Sequence, residues 1–190
     1  MDNIIISNYP KSGSRYLTAL ICSRFRKLNN YISKAYSGIE DISKEKSFQI
    51  IMKTISSNFE TVPYKMIHIV RDPRDIIATL MIEDKIDISE LCQNTIVGWI
   101  EHIYSIMYYA DKNNILFVRY ENLIQDEEST IDKIGSYLDL IPSEQNHSRE
   151  LEMKEGFRKV GLYKDVLHST RIKQIEEITQ DCLNDLEDYL

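Results

Sequence analysis

Residues 4–17 read IIISNYPKSGSRYL, and the architecture expected of the whole chain follows from them. Residues 4–6 are three isoleucines, a β-branched run typical of a buried parallel strand. Pro10 ends the run, because proline has no N–H to donate to a sheet. An amphipathic pattern of apolar residues at spacings of three and four then starts at Leu17 and continues to Leu28. The stretch therefore predicts a strand, a tight turn and a helix.

The turn between this strand and helix carries groups that bind anions. A glycine-containing turn at a helix N-terminus directs free N–H groups and the positive end of the helix dipole into the turn. Lys11 and Arg15 add two positive charges, and Ser12 and Ser14 add two hydroxyls. The turn predicts a site for phosphate or another tetrahedral oxyanion. It departs from the usual P-loop because its lysine precedes Gly13, so a plain helix entry with a surface lysine stays an alternative.

Composition limits the classes of function. A chain of 190 residues is expected to form one domain, residues 1–190, and a net charge of −7 argues against non-specific nucleic-acid binding. Cys22, Cys92 and Cys182 lie far apart and lack metal-ligand spacing, so they are expected to be buried thiols in a reducing compartment. We find no pattern of a signal peptide or membrane span, which predicts a cytoplasmic protein without a membrane partner.

The rest of the chain alternates apolar strand patterns with helical ones. Further strands are predicted at residues 48–54, 66–70 and 115–118, with a polar connection at residues 29–48. Helices are predicted from Asp72, at residues 96–109, from about residue 129 to before Pro142, and at residues 170–190. His68, in the middle of a strand, is expected to pack in the core. This alternation predicts an α/β fold with one parallel sheet of four to five strands, flanked by helices in three layers, like that of P-loop NTPases.

The four residues D-P-R-D at 72–75 predict the start of a helix. Asp72 suits the N-cap, and Pro73 suits the first helical position, where its missing N–H costs nothing. Asp75 stands where a capping box has its second member, so its side chain is expected to reach back to the N-cap. Arg74 is expected to be a surface charge.

Four chemically suited residues follow the ends of four predicted strands. Lys11, Lys53, Arg71 and Tyr120 each lie at or near such an end. In open parallel sheets, ligands bind at the carboxyl ends of the strands. We therefore expect these four residues to converge on one site.

The pattern Y-P-K-S-G-S, with an aromatic residue at position 16, resembles the 5′-phosphosulfate loop of sulfotransferases that use 3′-phosphoadenosine 5′-phosphosulfate (PAPS). The resemblance implies that Lys11 contacts the sulfuryl group and the bridging oxygen. It also implies that residues 12–15, including Gly13, hold the 5′-phosphate. Tyr16 takes the place of the aromatic residue that stacks on adenine, a role that needs only a flat face.

Three further blocks extend this resemblance over most of the chain. The segment I-V-R-D-P-R-D-I-I-A-T resembles the 3′-phosphate segment, in which Arg71 and Thr79 match the phosphate ligands. The segment F-V-R-Y-E-N-L implies a nucleotide contact for Tyr120, although packing explains it equally well. The segment F-R-K-V-G-L-Y-K implies that Arg158 binds the 3′-phosphate and puts Tyr163 where the family usually has tryptophan, but it is two residues shorter than the family pattern.

The resemblance implies transfer of a sulfuryl group to a hydroxyl or amine without a metal, with cationic side chains stabilising the leaving phosphate. Lys53 is retained as a charge stabiliser. Ile55, however, stands where cytosolic members have their histidine base, and isoleucine cannot accept a proton. The carboxylates of Glu60, Asp84 and Asp87 are candidates for the missing base.

Three functions therefore compete. The first is an active PAPS-dependent sulfotransferase with a replaced base. The second is a catalytically impaired module that binds PAPS or another nucleotide, favoured by Ile55 and by the shortened R-K segment. The third, a P-loop kinase of small molecules, is disfavoured because a P-loop places Lys-Ser/Thr after its second glycine, whereas Lys11 precedes Gly13, the single glycine of this turn.

Overall fold

The computed structural model describes residues 4–25, 34–35, 50–53, 65–84, 88–110, 114–141 and 159–190; of residues 34–35, 50–53, 84 and 88–93 it describes the backbone alone. Five strands form one sheet. They are β1 (Ile4–Asn8), β2 (Lys34–Ala35), β3 (Ile50–Lys53), β4 (Lys65–Val70) and β5 (Ile115–Arg119). Their spatial order is β2-β3-β1-β4-β5, and every neighbouring pair is parallel. The predicted α/β class and strand number are confirmed.

Seven α-helices connect or follow these strands in the described residues. They are α1 (Ser14–Arg24), α2 (Pro73–Asp84), α3 (Ile88–Ala110), α4 (Tyr120–Gln125), α5 (Glu127–Leu138), α6 (Tyr163–Val166) and α7 (Ser169–Leu186), and a 3-10 helix covers Glu187–Tyr189. The predicted helices are present. The long helix α3 begins eight residues earlier than expected, and α4, α6 and the two-residue strand β2 were not predicted.

The central strand β1 is buried on both faces, as its three isoleucines predict. Ile4 and Ile6 pack with α1, α4 and α5 on one face, and Ile5 packs with α2, α3 and α7 on the other. Successive residues of a strand point to opposite faces, so an uninterrupted apolar run is what a strand between two helical layers requires. The three-layer arrangement is confirmed.

The position of β1 in the sheet also determines where a ligand would bind. The chain leaves β1 toward β2 and β3 on one side, whereas β4 and β5 lie on the other side. Such a reversal of strand order opens a crevice at the carboxyl ends of the strands, where open α/β sheets bind ligands. The turn at residues 9–13 follows β1 directly and lies at this crevice.

Candidate functional site

A cavity of about 350 Å³ lies at the carboxyl ends of β1, β4 and β5. Most of its lining comes from the turn after β1 and the first turn of α1, and the rest from α2 and from the residues that follow β4 and β5. The lining residues are Asn8, Pro10, Lys11, Gly13, Ser14, Arg15, Tyr16, Arg71, Thr79, Glu83 and Tyr120. The volume falls within the range of small-molecule sites. The expected convergence of Lys11, Arg71 and Tyr120 is therefore present.

Gly13 allows the turn to pass close over the Tyr120 ring. Its φ of 93° is in the left-handed region, and a Cβ atom there would lie 2.5 Å from Cδ2 of Tyr120. No side chain fits in that space, so the backbone itself forms the floor of the turn. Glycine is required at this position for its conformation and for its lack of bulk.

Lys11 has an unusual backbone conformation and a charged partner. Its φ of 67° is left-handed, which a residue with a side chain adopts only when its surroundings impose it. Its carbonyl oxygen accepts a hydrogen bond from Nη1 of Arg71 at 3.0 Å. Its ammonium group forms an ion pair with Glu83 on α2. The ion pair with Glu83 thus positions the Lys11 ammonium group at the cavity, which both residues line.

Arg71 is a buried cation at the end of β4. It is 2% exposed, its Nη2 donates to the carbonyl of Lys159 at 3.4 Å, and its guanidinium lies over the Tyr120 ring at 4.5 Å from the centroid. Its Nε has no hydrogen-bond partner, and none of the carboxylates in the described residues pairs with it. Burying a positive charge without an anionic partner costs free energy, and an anion bound in the cavity would supply that partner.

The turn also presents donors of a second kind. The predicted Ser12 is not among the residues that line the cavity: its hydroxyl is fully buried and has no hydrogen-bond partner among the described residues. Helix α1 starts at Ser14, so the N–H groups of its first turn have no acceptor within the helix. Arg15, in the same turn, is exposed at the cavity. The N–H groups of the first turn of α1 and the Arg15 guanidinium are donors that fit an anionic oxygen group better than a neutral ligand.

Thr79 and Asp75 lie one turn apart on α2, and both are buried. Thr79 lines the cavity while its hydroxyl donates to the Asp75 carbonyl at 2.7 Å. The Asp75 carboxylate accepts from the backbone N–H groups of Gly161 at 2.9 Å and Tyr163 at 3.0 Å. The predicted capping box is therefore wrong, since Asp75 faces the segment at 159–163, and the N–H of Asp72 donates to Glu121 instead.

The neighbouring charges stabilise structure rather than line the cavity. Arg74 forms a bidentate ion pair with Asp72 and a further pair with Glu176, and its guanidinium lies 4.3 Å from the centroid of the Tyr163 ring. Burial raises the pKa of Glu121 while the nearby Arg71 opposes that change. Arg74 was expected to be a surface charge; it does not line the cavity, but its side chain is only 24% exposed and is ion-paired with Asp72 and Glu176.

The two tyrosines predicted to contact the nucleotide base both line the cavity and are both nearly buried. Tyr16 is 3% exposed, and its hydroxyl donates to Glu127 at 2.6 Å. Tyr120 is 1% exposed, between the turn at Gly13 and the guanidinium of Arg71. Both therefore border the cavity, although packing covers nearly all of the surface of each side chain.

Several predicted site residues lie outside the part of the chain that the structure describes. Arg158 is one of them, but the carbonyl of the next residue, Lys159, accepts from Arg71, so the segment begins beside the cavity. Lys53 ends β3 opposite Ser7 of β1, and its side chain is not described. Ile55 and two of the three candidate bases, Glu60 and Asp87, are outside the described residues, and the side chain of the third, Asp84, is also undescribed.

Sequence reasoning missed Glu83. Its carboxylate lines the cavity beside Lys11, and its Oε1 atom is buried without a hydrogen-bond partner. The signal was available, because Glu83 follows Thr79 by four residues and therefore lies on the same face of α2, one turn further along. The prediction of carboxylates at 60, 84 and 87 did not consider the spacing of four residues that places Glu83 beside Thr79 on α2.

The histidines described near the sheet are not part of the cavity. His68 is fully buried, its Nδ1 lies 3.0 Å from the Ser7 hydroxyl, and its ring packs against His102 and Phe117. Burial, together with the neighbouring His102, lowers the pKa of His68 well below its usual value. The prediction that His68 packs in the core is confirmed.

Comparison with known proteins identifies the family of this chain. The family model described as the sulfotransferase domain matches residues 1–155. The chain belongs to the sulfotransferase domain family. Similar curated proteins include human sulfotransferase 2A1, at 25% identity over 76% of this chain and 62% of the relative, and a guinea pig (Cavia porcellus) 3-alpha-hydroxysteroid sulfotransferase, at 24% identity over 72% and 58%. The chain thus spans about three fifths of the length of these relatives.

Solved structures show the same fold. Mouse sulfotransferase SULT7A1 complexed with PAP superposes with a TM-score of 0.72 at 19% identity, covering 100% of this chain and 89% of the other. The sulfotransferase domain from the curacin biosynthetic pathway has a TM-score of 0.53 at 11% identity, covering 97% and 96%. In the described residues, none of the helices is long and apolar enough to cross a membrane.

Proposed function

We propose that this protein is a sulfotransferase that transfers a sulfuryl group from PAPS to a hydroxyl or amine acceptor and releases 3′,5′-ADP. The observation that carries the proposal is the buried Arg71, whose Nε lacks a partner and which opens onto a cavity together with an N-terminal helix turn. Arg71 would bind one anionic group and the turn another, which suits a nucleotide that has phosphates on both the 3′ and the 5′ position of its ribose. The proposal includes a cytoplasmic location, in line with the burial of the Cys22 and Cys182 side chains.

The proposed roles divide the cavity into two anion sites. Residues 12–15 hold the 5′-phosphate through backbone N–H groups and hydroxyls, while Arg71 and Thr79 hold the 3′-phosphate. Lys11 stabilises the charge that develops on the leaving phosphate oxygen. Tyr16 and Tyr120 border the base, and Lys53 and Arg158 are proposed to add positive charge from segments next to the cavity. The donors are side chains and backbone groups, so the proposal contains no metal.

Nucleotide binding tests the proposal directly. We expect 3′,5′-ADP to raise the melting temperature without Mg²⁺, and AMP, which lacks the 3′-phosphate, to do so far less. A ligand at 100 times its Kd adds about 2.7 kcal/mol to the free energy of unfolding, which a thermal shift detects easily. Equal shifts from the two nucleotides would remove the 3′-phosphate site from the proposal. A shift from ATP that requires Mg²⁺ would favour a small-molecule kinase instead.

Two substitutions test the proposed division of roles. Arg71→Ala should weaken 3′,5′-ADP binding by about 2 kcal/mol or more, the size of a lost charged hydrogen-bond partner. Lys11→Ala should reduce transfer much more than 3′,5′-ADP binding, because its role concerns the sulfuryl group. Arg119→Ala is the control, since the Arg119 guanidinium pairs with Glu187 and does not line the cavity. If Arg71→Ala binds 3′,5′-ADP as tightly as this control, Arg71 does not hold the 3′-phosphate; if both Arg71→Ala and Lys11→Ala bind it like the parent, the turn is only a helix entry.

A binding module without transfer is the second candidate, favoured by Ile55 where cytosolic members have histidine. General bases contribute about 10² to 10⁴ in rate, so a site without one should be slow rather than inactive. Binding of 3′,5′-ADP without transfer to any of a panel of phenols and amines would support the module. Sulfated product from any of them would support the enzyme.

A further inference from the structure

Glu83 is the carboxylate that the structure brings to the cavity, and sequence patterns did not single it out. It lies on α2, one turn beyond Thr79, and its side chain is 23% exposed. One oxygen, Oε2, pairs with the Lys11 ammonium, while the other, Oε1, is buried without a hydrogen-bond partner. Glu83 lines the cavity and its side chain is partly exposed, so rotation of the carboxylate would bring the oxygen without a hydrogen-bond partner within reach of a group that enters the cavity.

The contact with Lys11 fixes where in the cavity this carboxylate acts. Lys11 is the residue proposed to face the sulfuryl group, so Glu83 borders the point of transfer. Arg71 and Thr79 lie on the proposed 3′-phosphate side of the same cavity. The negative charge of Glu83 would weaken binding of the anionic nucleotide if it were uncompensated. The Lys11 ammonium group, which pairs with Glu83, compensates this charge.

We propose that Glu83 is the general base that activates the acceptor, a proposal that rests on the function proposed above. The acceptor O–H or N–H bond breaks and its proton moves to the Glu83 carboxylate. The acceptor atom forms a bond to sulfur while the bond from sulfur to the bridging oxygen breaks. That electron pair stays on the leaving 3′,5′-ADP, whose new negative charge faces the Lys11 ammonium. Glu83 thus fills the role that Ile55 cannot.

Another explanation of the same contact makes the opposite prediction. If Glu83 only holds Lys11 in place until the donor binds, removing its charge should leave the transfer rate unchanged or raise it. The Glu83→Gln variant distinguishes the two, because glutamine keeps the shape of the side chain and loses its basicity. Glu187→Gln is the matched control, since it also removes one carboxylate from an ion pair but lies outside the cavity.

The experiment starts with binding. Glu83→Gln should bind 3′,5′-ADP at least as tightly as the parent, because a negative charge has been removed beside an anion. In single-turnover transfer from PAPS, we expect it to lose about 10² to 10⁴ in rate on weakly acidic phenols. The loss should shrink on nitrophenols, whose proton needs little help to leave. Glu187→Gln should match the parent in both measurements.

Chemical rescue supplies a test that a structural role would not pass. Glu83→Ala removes the carboxylate and leaves space, so added formate should restore part of the lost rate in that variant and none in the parent. Parental rates in Glu83→Gln, an equal loss on all phenols, the absence of rescue, or a parent that binds 3′,5′-ADP yet transfers to no acceptor would each overturn the assignment of Glu83. Failure of the parent to bind 3′,5′-ADP would instead refute the proposed function, and the binding measurement reveals it before any transfer is attempted.

Discussion

Replacing Asp75 by asparagine should loosen the segment at residues 159–163 from α2. The Asp75 carboxylate is fully buried and accepts two backbone N–H groups, from Gly161 at 2.9 Å and Tyr163 at 3.0 Å. Asparagine keeps one acceptor oxygen but points an NH₂ group at the second N–H. The substitution therefore removes one hydrogen bond to a charged group and leaves two donors facing each other.

The structure indicates the size of the effect. A hydrogen bond to a charged group contributes about 1.5 to 3 kcal/mol, and a buried donor left unsatisfied costs about 1 to 3 kcal/mol. We expect Asp75→Asn to lower the free energy of unfolding by about 2 to 3 kcal/mol, allowing for relaxation of the segment. In a protein of this size, 1 kcal/mol shifts the melting temperature by about 2 to 4 °C, so the shift should be about 4 to 12 °C.

Urea denaturation of the parent and two variants measures this loss. Asp165→Asn is the matched control, because Asp165 belongs to the neighbouring helix α6, pairs with Lys159 and has a side chain that is 58% exposed. Surface substitutions of this kind change stability by about 0.5 kcal/mol or less. Asp75→Asn should also weaken 3′,5′-ADP binding, since the same segment supplies the Lys159 carbonyl to Arg71. If the two variants unfold at the same urea concentration, the Asp75 carboxylate does not hold this segment.

Two further predictions concern the turn and the core. Gly13→Ala should destabilise the protein by about 2 to 4 kcal/mol, because left-handed strain is combined with overlap against Tyr120. Gly161→Ala, at φ 79° with only ordinary contact to the Lys164 side chain at 3.8 Å, should cost only the strain, about 1 to 2 kcal/mol. Equal losses in urea melts would exclude the overlap. Burial and the nearby His102 hold the pKa of His68 well below its usual 6.5. Below pH 6.5, His68 therefore binds a proton in the unfolded chain but stays neutral in the folded protein. The parent should therefore lose up to about 1.4 kcal/mol of stability per pH unit as the pH falls below 6.5, and His68→Gln should lack this part of the slope in urea melts at pH 5 to 8.

Local patterns predicted the parts of this protein that local physics determines. The isoleucine run of residues 4–6, the proline at 10 and the glycine at 13 specify a buried strand and a tight turn through backbone chemistry alone. Arg71 was predicted to be a site residue because it directly follows the apolar strand β4, where a cation has few structural roles. In each case the deciding interaction lies within a few residues along the chain.

Contacts between distant residues were not predicted, for the same physical reason. The carboxylate of Asp75 bonds N–H groups 86 and 88 positions away, and its sequence neighbours suggested a capping box instead. The approach of Tyr120 to Gly13 depends on β5 and β1 ending on the same side of the sheet, with β4 between them. Strand β2 contains only two residues, too few for any periodicity to appear.

The two ends of the cavity differ in how their charges are balanced, and this difference bears on how a nucleotide would enter. The Lys11 ammonium pairs with Glu83, so a sulfuryl group or 5′-phosphate at that end must share or displace an existing partner. Arg71 pairs with none of the carboxylates in the described residues and has an unpartnered Nε. An anion gains most where it replaces no partner, so the 3′-phosphate should contribute more to binding than the 5′ end. The affinity for 3′,5′-ADP should therefore depend more on Arg71 than on the Lys11–Glu83 pair, so Arg71→Ala should weaken its binding more than Lys11→Ala does.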